Sequence, residues 1–164
     1  MILDVTNSTN LLATVGHQFL MEGCRVSYPI GSSSAVLIDE RILVVIKMAT
    51  DIFHDNASQF TATQEWIDTY DQFSLSYHVF VACFCRKEKR FCTLSWAEFK
   101  KMRNDRLQSM KIEGENQFPF RVEVTSKKSF RAYALGGGRK SKKVGLVKKS
   151  TGLIIKEIRK LINS

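Results

Sequence analysis

The stretch from Val26 to Lys47 reads Val-Ser-Tyr-Pro-Ile-Gly-Ser-Ser-Ser-Ala-Val-Leu-Ile-Asp-Glu-Arg-Ile-Leu-Val-Val-Ile-Lys. It contains two apolar runs, Val36–Ile38 and Ile42–Ile46, separated by the polar residues 39–41. Both runs consist of β-branched residues and Leu, which favour strands over helices. The short break between them predicts a β-hairpin. Lys47 is placed where the second strand of that hairpin ends.

The patterns on either side of this hairpin predict further helices and strands. In chain order they are a helix ended by Gly23, a short strand at 25–28, the hairpin, a helix begun by Thr63, strands at 78–85 and 91–94, and a helix begun by a capping box of Ser95 and Glu98. Residues 121–124 and 130–134 are predicted to form a second, smaller strand pair, and 150–162 an amphipathic helix. We expect residues 50–60 and 104–118 to be irregular. This order predicts an α/β fold with a mixed central sheet flanked by helices.

The composition fits one folded domain with a charged end. The chain has 164 residues and 44% hydrophobic content, which is typical of a globular protein and not of a disordered one. The last 44 residues carry 13 Lys and Arg against 2 Asp and Glu, a surplus of 11 positive charges. We therefore expect an α/β core over residues 1–125. A basic extension over residues 126–164 follows, with its terminal helix packed on the core.

The concentrated positive charge indicates a polyanionic partner, with DNA or structured RNA as the leading candidate. Lys and Arg side chains neutralise phosphates and release the counterions condensed on them. The candidate nucleic-acid-binding residues are Lys127, Lys128, Arg131, Arg139, Lys140, Lys142, Lys143, Lys148 and Lys149. The alternative is that this segment is only a solvated tail.

The ends of the chain and its cysteines favour an intracellular protein, in the cytoplasm, the nucleoid or the nucleus. Residues 1–10 lack the basic start and apolar core of a secretory signal, and no apolar run is long enough to span a membrane. We expect reduced thiols. Cys83, Cys85 and Cys92 fall on one predicted hairpin, but a zinc site also needs a fourth ligand, so burial as inert thiols is favoured.

The order of elements resembles the core of the PD-(D/E)XK nuclease superfamily, in the branch of group I intron-associated endonucleases and Holliday junction resolvases. The likeness covers about residues 9–103. The motifs that carry it are Gly23-Cys24-Arg25-Val26 for Gly-x-x-Val, Pro29-Ile30-Gly31 for Pro-x-Gly, and Val45-Ile46-Lys47 for (Glu or Gln)-x-Lys. The resemblance implies a restriction-endonuclease-like fold and a Lys, here Lys47, that orients the attacking water beside a Mg²⁺ ion.

The same resemblance implies that the metal ligands are missing. The three positions of the acidic ligands are occupied by Leu12, Ala35 and Val45. Apolar side chains cannot hold a hard cation, so no metal site and no cofactor are predicted, and Lys47 is vestigial. In an alternative register Asp39 and Glu40 serve as ligands together with Lys47. Turn residues are the more ordinary interpretation of that pair.

These patterns support three functional hypotheses. The first is a catalytically degenerate nuclease-like protein that binds nucleic acid as a recognition or scaffold subunit. The second is an active Mg²⁺-dependent endonuclease of the homing or junction-resolving type, whose acids come from another register or another chain. The third is an interaction module, as a homo-oligomer or within a larger nucleoprotein assembly.

Overall fold

The computed structural model describes residues 8–52, 57–125, 129–138, 142–149 and 158–160. The elements in these residues are, in chain order, α1 (Ser8–Met21), β1 (Val26–Ser27), β2 (Ala35–Ile38), β3 (Ile42–Met48), β4 (Asp51–Ile52), β5 (Ala57–Thr63), α2 (Gln64–Ser74), β6 (His78–Cys85), β7 (Arg90–Ser95), α3 (Trp96–Met110), β8 (Gln117–Val124), β9 (Phe130–Leu135) and β10 (Lys143–Lys149). Residues 158–160 are helical as well.

Sheet A is a mixed sheet of five strands in the order β1-β2-β3-β6-β7. The predicted hairpin is present as β2 and β3, with Ala35 opposite Val45 and Ile38 opposite Ile42. β3 and β6 run parallel. Parallel neighbours need a long crossover connection, and the chain between β3 and β6 includes α2. The predicted α/β fold, a mixed sheet flanked by helices, is confirmed.

Both faces of sheet A are covered, which explains the uninterrupted apolar runs of its central hairpin. All four residues of β2 and the first five of β3 are buried. One face packs on α1, mainly through Leu11, Val15 and Phe19. The other face shares a second hydrophobic cluster with α2, α3 and another sheet. Strands that are covered on both sides have continuous hydrophobic sequences instead of alternating ones.

Sheet B is antiparallel throughout and has the order β10-β9-β8-β5-β4. Its β8 and β9 confirm the predicted second strand pair. Residues 50–60 were expected to be irregular, and this is wrong, because they contribute β4 and β5. The strand β5, Ala-Ser-Gln-Phe-Thr-Ala-Thr, has few large apolar residues. Its pairing with β8 along all seven residues stabilises it as a strand.

The region between α3 and β8 is also more regular than its sequence indicates. The prediction of an irregular segment at 104–118 is wrong at both ends, since α3 continues to Met110 and β8 begins at Gln117. The last turn of α3 is held by Arg106, whose guanidinium donates to both oxygens of Glu115 at 2.7 and 3.0 Å. It also donates to the carbonyl of Leu135 at 2.7 Å. These contacts are tertiary and leave no local signal.

The basic end of the chain takes part in the same fold. The predicted boundary at residue 125 falls between β8 and β9, which are hydrogen-bonded neighbours. Lys143 begins β10, and residues 139–141 lie outside the described residues. Of the helix predicted over 150–162, residues 158–160 are described and helical. Ile158 is fully buried in the cluster on the α1 face.

The predicted helix ends are confirmed. The backbone N–H of Trp66 donates to the Thr63 hydroxyl at 3.1 Å, which caps α2. Ser95 and Glu98 form a reciprocal capping box at the start of α3. Gly23 follows α1 with φ of +85°, a left-handed conformation that favours glycine.

Candidate nucleic-acid interface

Lys47 lies near the end of β3 on the face of sheet A that meets α2. In the parallel ladder it is opposite Cys83 of β6, and its Nζ is 4.7 Å from the centre of the Trp66 ring. Burial lowers the pKa of the Lys47 ammonium, and the electrostatic interaction with the neighbouring Cys83 sulfur offsets part of that shift. The amine is thus held against an aromatic face, a cation–π geometry that stabilises the charge.

The positions that the resemblance assigns to the metal-binding acids carry no oxygen ligands in the described part of the chain around Lys47. Ala35 and Val45 are direct partners in the hairpin, and both are fully buried. Leu12 packs in the cluster on the α1 face, whereas Ala35 and Val45 belong to the cluster on the opposite face of sheet A. The three positions that the resemblance assigns to acids are therefore apolar and divided by the sheet. This group of residues does not fit Mg²⁺.

Asp39 and Glu40 form the tip of the β2–β3 hairpin. Both have left-handed backbone conformations, with φ of 51° and 58°. Asp39 Oδ1 accepts the backbone N–H of Arg25 at 2.8 Å, and the Asp39 N–H donates to the Arg25 carbonyl at 2.8 Å. Asp39 thus connects the turn to the residue preceding β1, as Asp often does in turns. The structure does not bring either acid together with Lys47.

The cysteine cluster is apolar and closed. Cys83, Cys85 and Cys92 are fully buried between sheet A and the rest of the main cluster, and Cys83 is directly opposite Cys92. Burial raises the pKa of Cys83 well above its usual value and that of Cys85 to about 12. Cys24 packs on the other face of sheet A. Among the described residues, no group of three or more His, Cys, Asp or Glu side chains is arranged to hold a metal ion.

Three of the predicted nucleic-acid-binding residues lie on one surface, the outer face of sheet B. Arg131 of β9 and Lys143 and Lys148 of β10 alternate with buried residues such as Ala132 and Val147, so their side chains lie on the face away from the core. All three are exposed. Arg131 is directly opposite Lys148 on one side and Glu123 on the other, which makes a row across three strands.

Arg121 of β8 is a fourth basic residue on this surface. It alternates with the buried Phe120 and Val122, and it is opposite Tyr133 in the ladder. The alternation of Gln-Phe-Pro-Phe-Arg-Val-Glu-Val contains the signal that Arg121 faces outward, whereas the count of charges along the chain does not single it out. We call Arg121, Arg131, Lys143 and Lys148 the basic face.

A single carboxylate and a single tyrosine accompany the basic face in the described part of β8, β9 and β10. Lys143 Nζ is 3.2 Å from each carboxylate oxygen of Glu123 and 4.7 Å from the centre of the Tyr133 ring. Tyr133 is only 3% exposed. The basic face therefore exposes positive charges, whereas the ring of Tyr133 is covered.

The remaining predicted residues are placed elsewhere. Lys149 lies on the inner side of β10 and forms a 2.7 Å ion pair with Glu98 of α3. Lys142 is exposed and lines a shallow cleft of about 460 Å³ with Gln108, Ser109 and neighbouring residues. Lys127, Lys128, Arg139 and Lys140 lie outside the described residues.

Comparisons with protein-family models, with curated proteins and with solved structures gave no match. No helix in the described part of the chain is long and apolar enough to cross a membrane.

Proposed function

We propose that this protein binds DNA or structured RNA through the basic face of sheet B. The observation that carries the proposal is the alignment of Arg121, Arg131, Lys143 and Lys148 on one side of three adjacent strands. The paired strands fix the backbone positions of these residues, so little backbone order remains to be gained on binding. Arg and Lys in such a cluster contact phosphates without regard to base sequence.

The nuclease-like part of the proposal has a different support. In and around sheet A, the chain forms helix α1, the β2–β3 hairpin, a crossover and then the parallel strand β6. This is the order of elements in the PD-(D/E)XK core, and Lys47 lies on β3. In the register that the resemblance implies, Ala35 and Val45 occupy the positions of that family's metal-binding acids, and Lys47 stacks on Trp66. We infer a degenerate member that acts as a recognition or scaffold subunit of an intracellular nucleoprotein assembly.

The binding test compares two variants with equal loss of charge. Arg131→Ala, Lys143→Ala and Lys148→Ala together remove three exposed charges from the basic face. Arg25→Ala, Arg41→Ala and Lys101→Ala remove three exposed charges from other surfaces. Fluorescence anisotropy with labelled duplex DNA and duplex RNA, measured over a salt series, gives affinity and the log–log salt slope.

We expect the basic-face variant to bind every nucleic-acid sequence more weakly than wild type. We also expect its slope of log affinity against log salt concentration to be smaller in magnitude by about 2 to 3, because each lost phosphate contact removes about 0.9. The control variant keeps the wild-type slope. Equal effects of the two variants, or no binding by the unmodified protein, would contradict the proposal.

Cleavage separates the degenerate protein from an active endonuclease. Unmodified protein is incubated with plasmid and branched DNA in Mg²⁺ or Mn²⁺, and we expect no strand cleavage above background. Cleavage that persists through repurification and disappears in Lys47→Ala would favour the endonuclease instead.

A further inference from the structure

We infer that the nucleic acid is a double helix, and that the turn between β6 and β7 is a second element that contacts its backbone. This inference rests on the proposed function of the basic face. The turn has the sequence Arg86-Lys87-Glu88-Lys89, and the two residues used below, Arg86 and Lys89, are exposed. No binding role for this segment follows from the sequence alone.

Contacts between the two sheets place the turn at the same end of the molecule as part of the basic face. Arg90, the first residue of β7, has its guanidinium carbon 4.6 Å from the centre of the Phe130 ring, which lies on the inner side of sheet B. Phe130 begins β9 and immediately precedes Arg131, whose side chain lies on the outer side. The turn therefore lies at the end of sheet B where β8 ends, β9 begins and β10 ends, and the row of Glu123, Arg131 and Lys148 crosses the outer side of that same end.

The strand ends that carry the turn are packed on sheet B. Arg90 is opposite Cys85 in the β6–β7 ladder, and Cys85 is fully buried in the hydrophobic cluster that sheet A shares with sheet B. Both strand ends that support the turn are thus packed against sheet B. Arg86 and Lys89 of the turn and Arg131 and Lys148 of the basic face therefore lie at the same end of the two packed sheets.

The character of the basic face selects a duplex over a single strand. Proteins that hold single strands stack the bases on exposed aromatic rings. On the described part of the basic face the ring of Tyr133 is covered, with Lys143 stacked over it. The ring of Phe130, at the junction with the turn, is fully buried and contacted by Arg90. Among the described residues of the basic face, phosphate contacts are available and no exposed ring offers base stacking, which fits a helix that keeps its bases paired.

The test uses a second pair of matched variants. Arg86→Gln with Lys89→Asn removes two exposed charges from the turn, and Asn tolerates the left-handed conformation of Lys89, whose φ is 54°. Arg25→Gln with Arg41→Gln removes two exposed charges at the other end of sheet A. The probes are a duplex DNA, a duplex RNA and a single strand of equal length. Circular dichroism and thermal melting verify that each variant is folded.

We expect the turn variant to weaken duplex binding uniformly and to reduce the salt slope by about 2, with no change in the control. We also expect the unmodified protein to bind a duplex at least about tenfold more tightly than the single strand. A turn variant with the wild-type slope, or equal binding of the single strand, would overturn this inference. In either case the effect of the basic-face variant would still decide the proposed function separately.

Discussion

Lys47 is the residue whose environment differs most from the role that its motif implies. In a metal site a lysine amine points toward bound water, whereas here it lies over the Trp66 ring beside the thiol of Cys83. The residue is half-buried, and burial is the main cause of its lowered pKa. Its present contribution is therefore to close the end of β3 against α2. The long apolar stem packs while the charged end contacts the ring.

The lowered pKa of Lys47 has a measurable consequence for stability. Between the folded-state pKa and the higher unfolded-state pKa, the unfolded chain binds more protons, so the stability of the folded protein rises with pH. Lys47→Met keeps the stem but removes the charge. We expect the free energy of unfolding of wild type to increase relative to Lys47→Met as pH rises from about 7 to about 10. Urea denaturation of both proteins over this range measures the difference. A constant or opposite difference would show that burial does not disfavour the charged amine.

The four cysteines should separate into two classes by reactivity. Cys83, Cys85 and Cys92 are fully buried, and burial raises the pKa of Cys83 and Cys85. Cys24 is only half-buried, although burial raises its pKa as well. At about pH 8 we expect iodoacetamide to label Cys24 in the folded protein, and all four cysteines in urea. Peptide mass spectrometry identifies the labelled sites. Rapid labelling of Cys83 or Cys92 without denaturant would contradict their placement in the core.

At the scale of elements, the close packing of β10 on α3 depends on Gly145. This residue has φ of +64° and sits at the irregularity in the β9–β10 ladder. A Cβ there would lie 2.6 Å from the Cα of Met102. Backbone strain and the clash both oppose any side chain.

Gly145→Ala should therefore destabilise the protein by about 3 kcal/mol, equivalent to a fall of about 10 °C in Tm. Gly114→Ala is the matched control, since a Cβ added at Gly114 would meet no atom of the described residues within 4 Å beyond its chain neighbours. We expect that control to change stability by less than about 0.5 kcal/mol. Thermal melting compares the two. Equal effects would mean that β10 does not approach α3 closely.

The elements that could be predicted are those whose burial or capping is visible in their own sequence. β2 and β3 are covered on both faces and are apolar throughout, and Thr63 and Ser95 carry their own capping groups. β5 and the end of α3 show no such pattern, because they depend on partners distant in the chain: β8 for β5, and the Leu135 carbonyl, which accepts from Arg106, for α3. The candidate site was predictable as a concentration of charge. The charges that share a face can be named only once β10 is known to be a strand paired with β9, because that pairing puts Lys148 and Lys149 on opposite faces of the sheet.

At the scale of the whole molecule, the basic end of the chain belongs to the core. Val147 is 9% exposed within the main hydrophobic cluster, and Lys149 is bonded to α3 through Glu98. The antiparallel pairing of β10 with β9 spans five residue pairs. A basic extension that merely packs on a finished core would not complete a sheet in this way. Exposed positive charges and buried apolar residues therefore alternate along the same strand.

This arrangement predicts the outcome of removing residues 136–164. Without β10, β9 becomes an unpaired edge and part of α3 is uncovered, so apolar surface and backbone groups are both exposed to water. We expect Tm to fall by at least about 10 °C, whereas the triple variant of Arg131, Lys143 and Lys148 stays within about 2 °C of wild type because those side chains are exposed. Differential scanning calorimetry measures both. Loss of nucleic-acid binding in the truncated protein would then reflect lost structure, and only the triple variant tests the charges. A truncated protein that melts at the wild-type temperature would mean instead that β10 contributes no stability and that the basic end is a detachable tail.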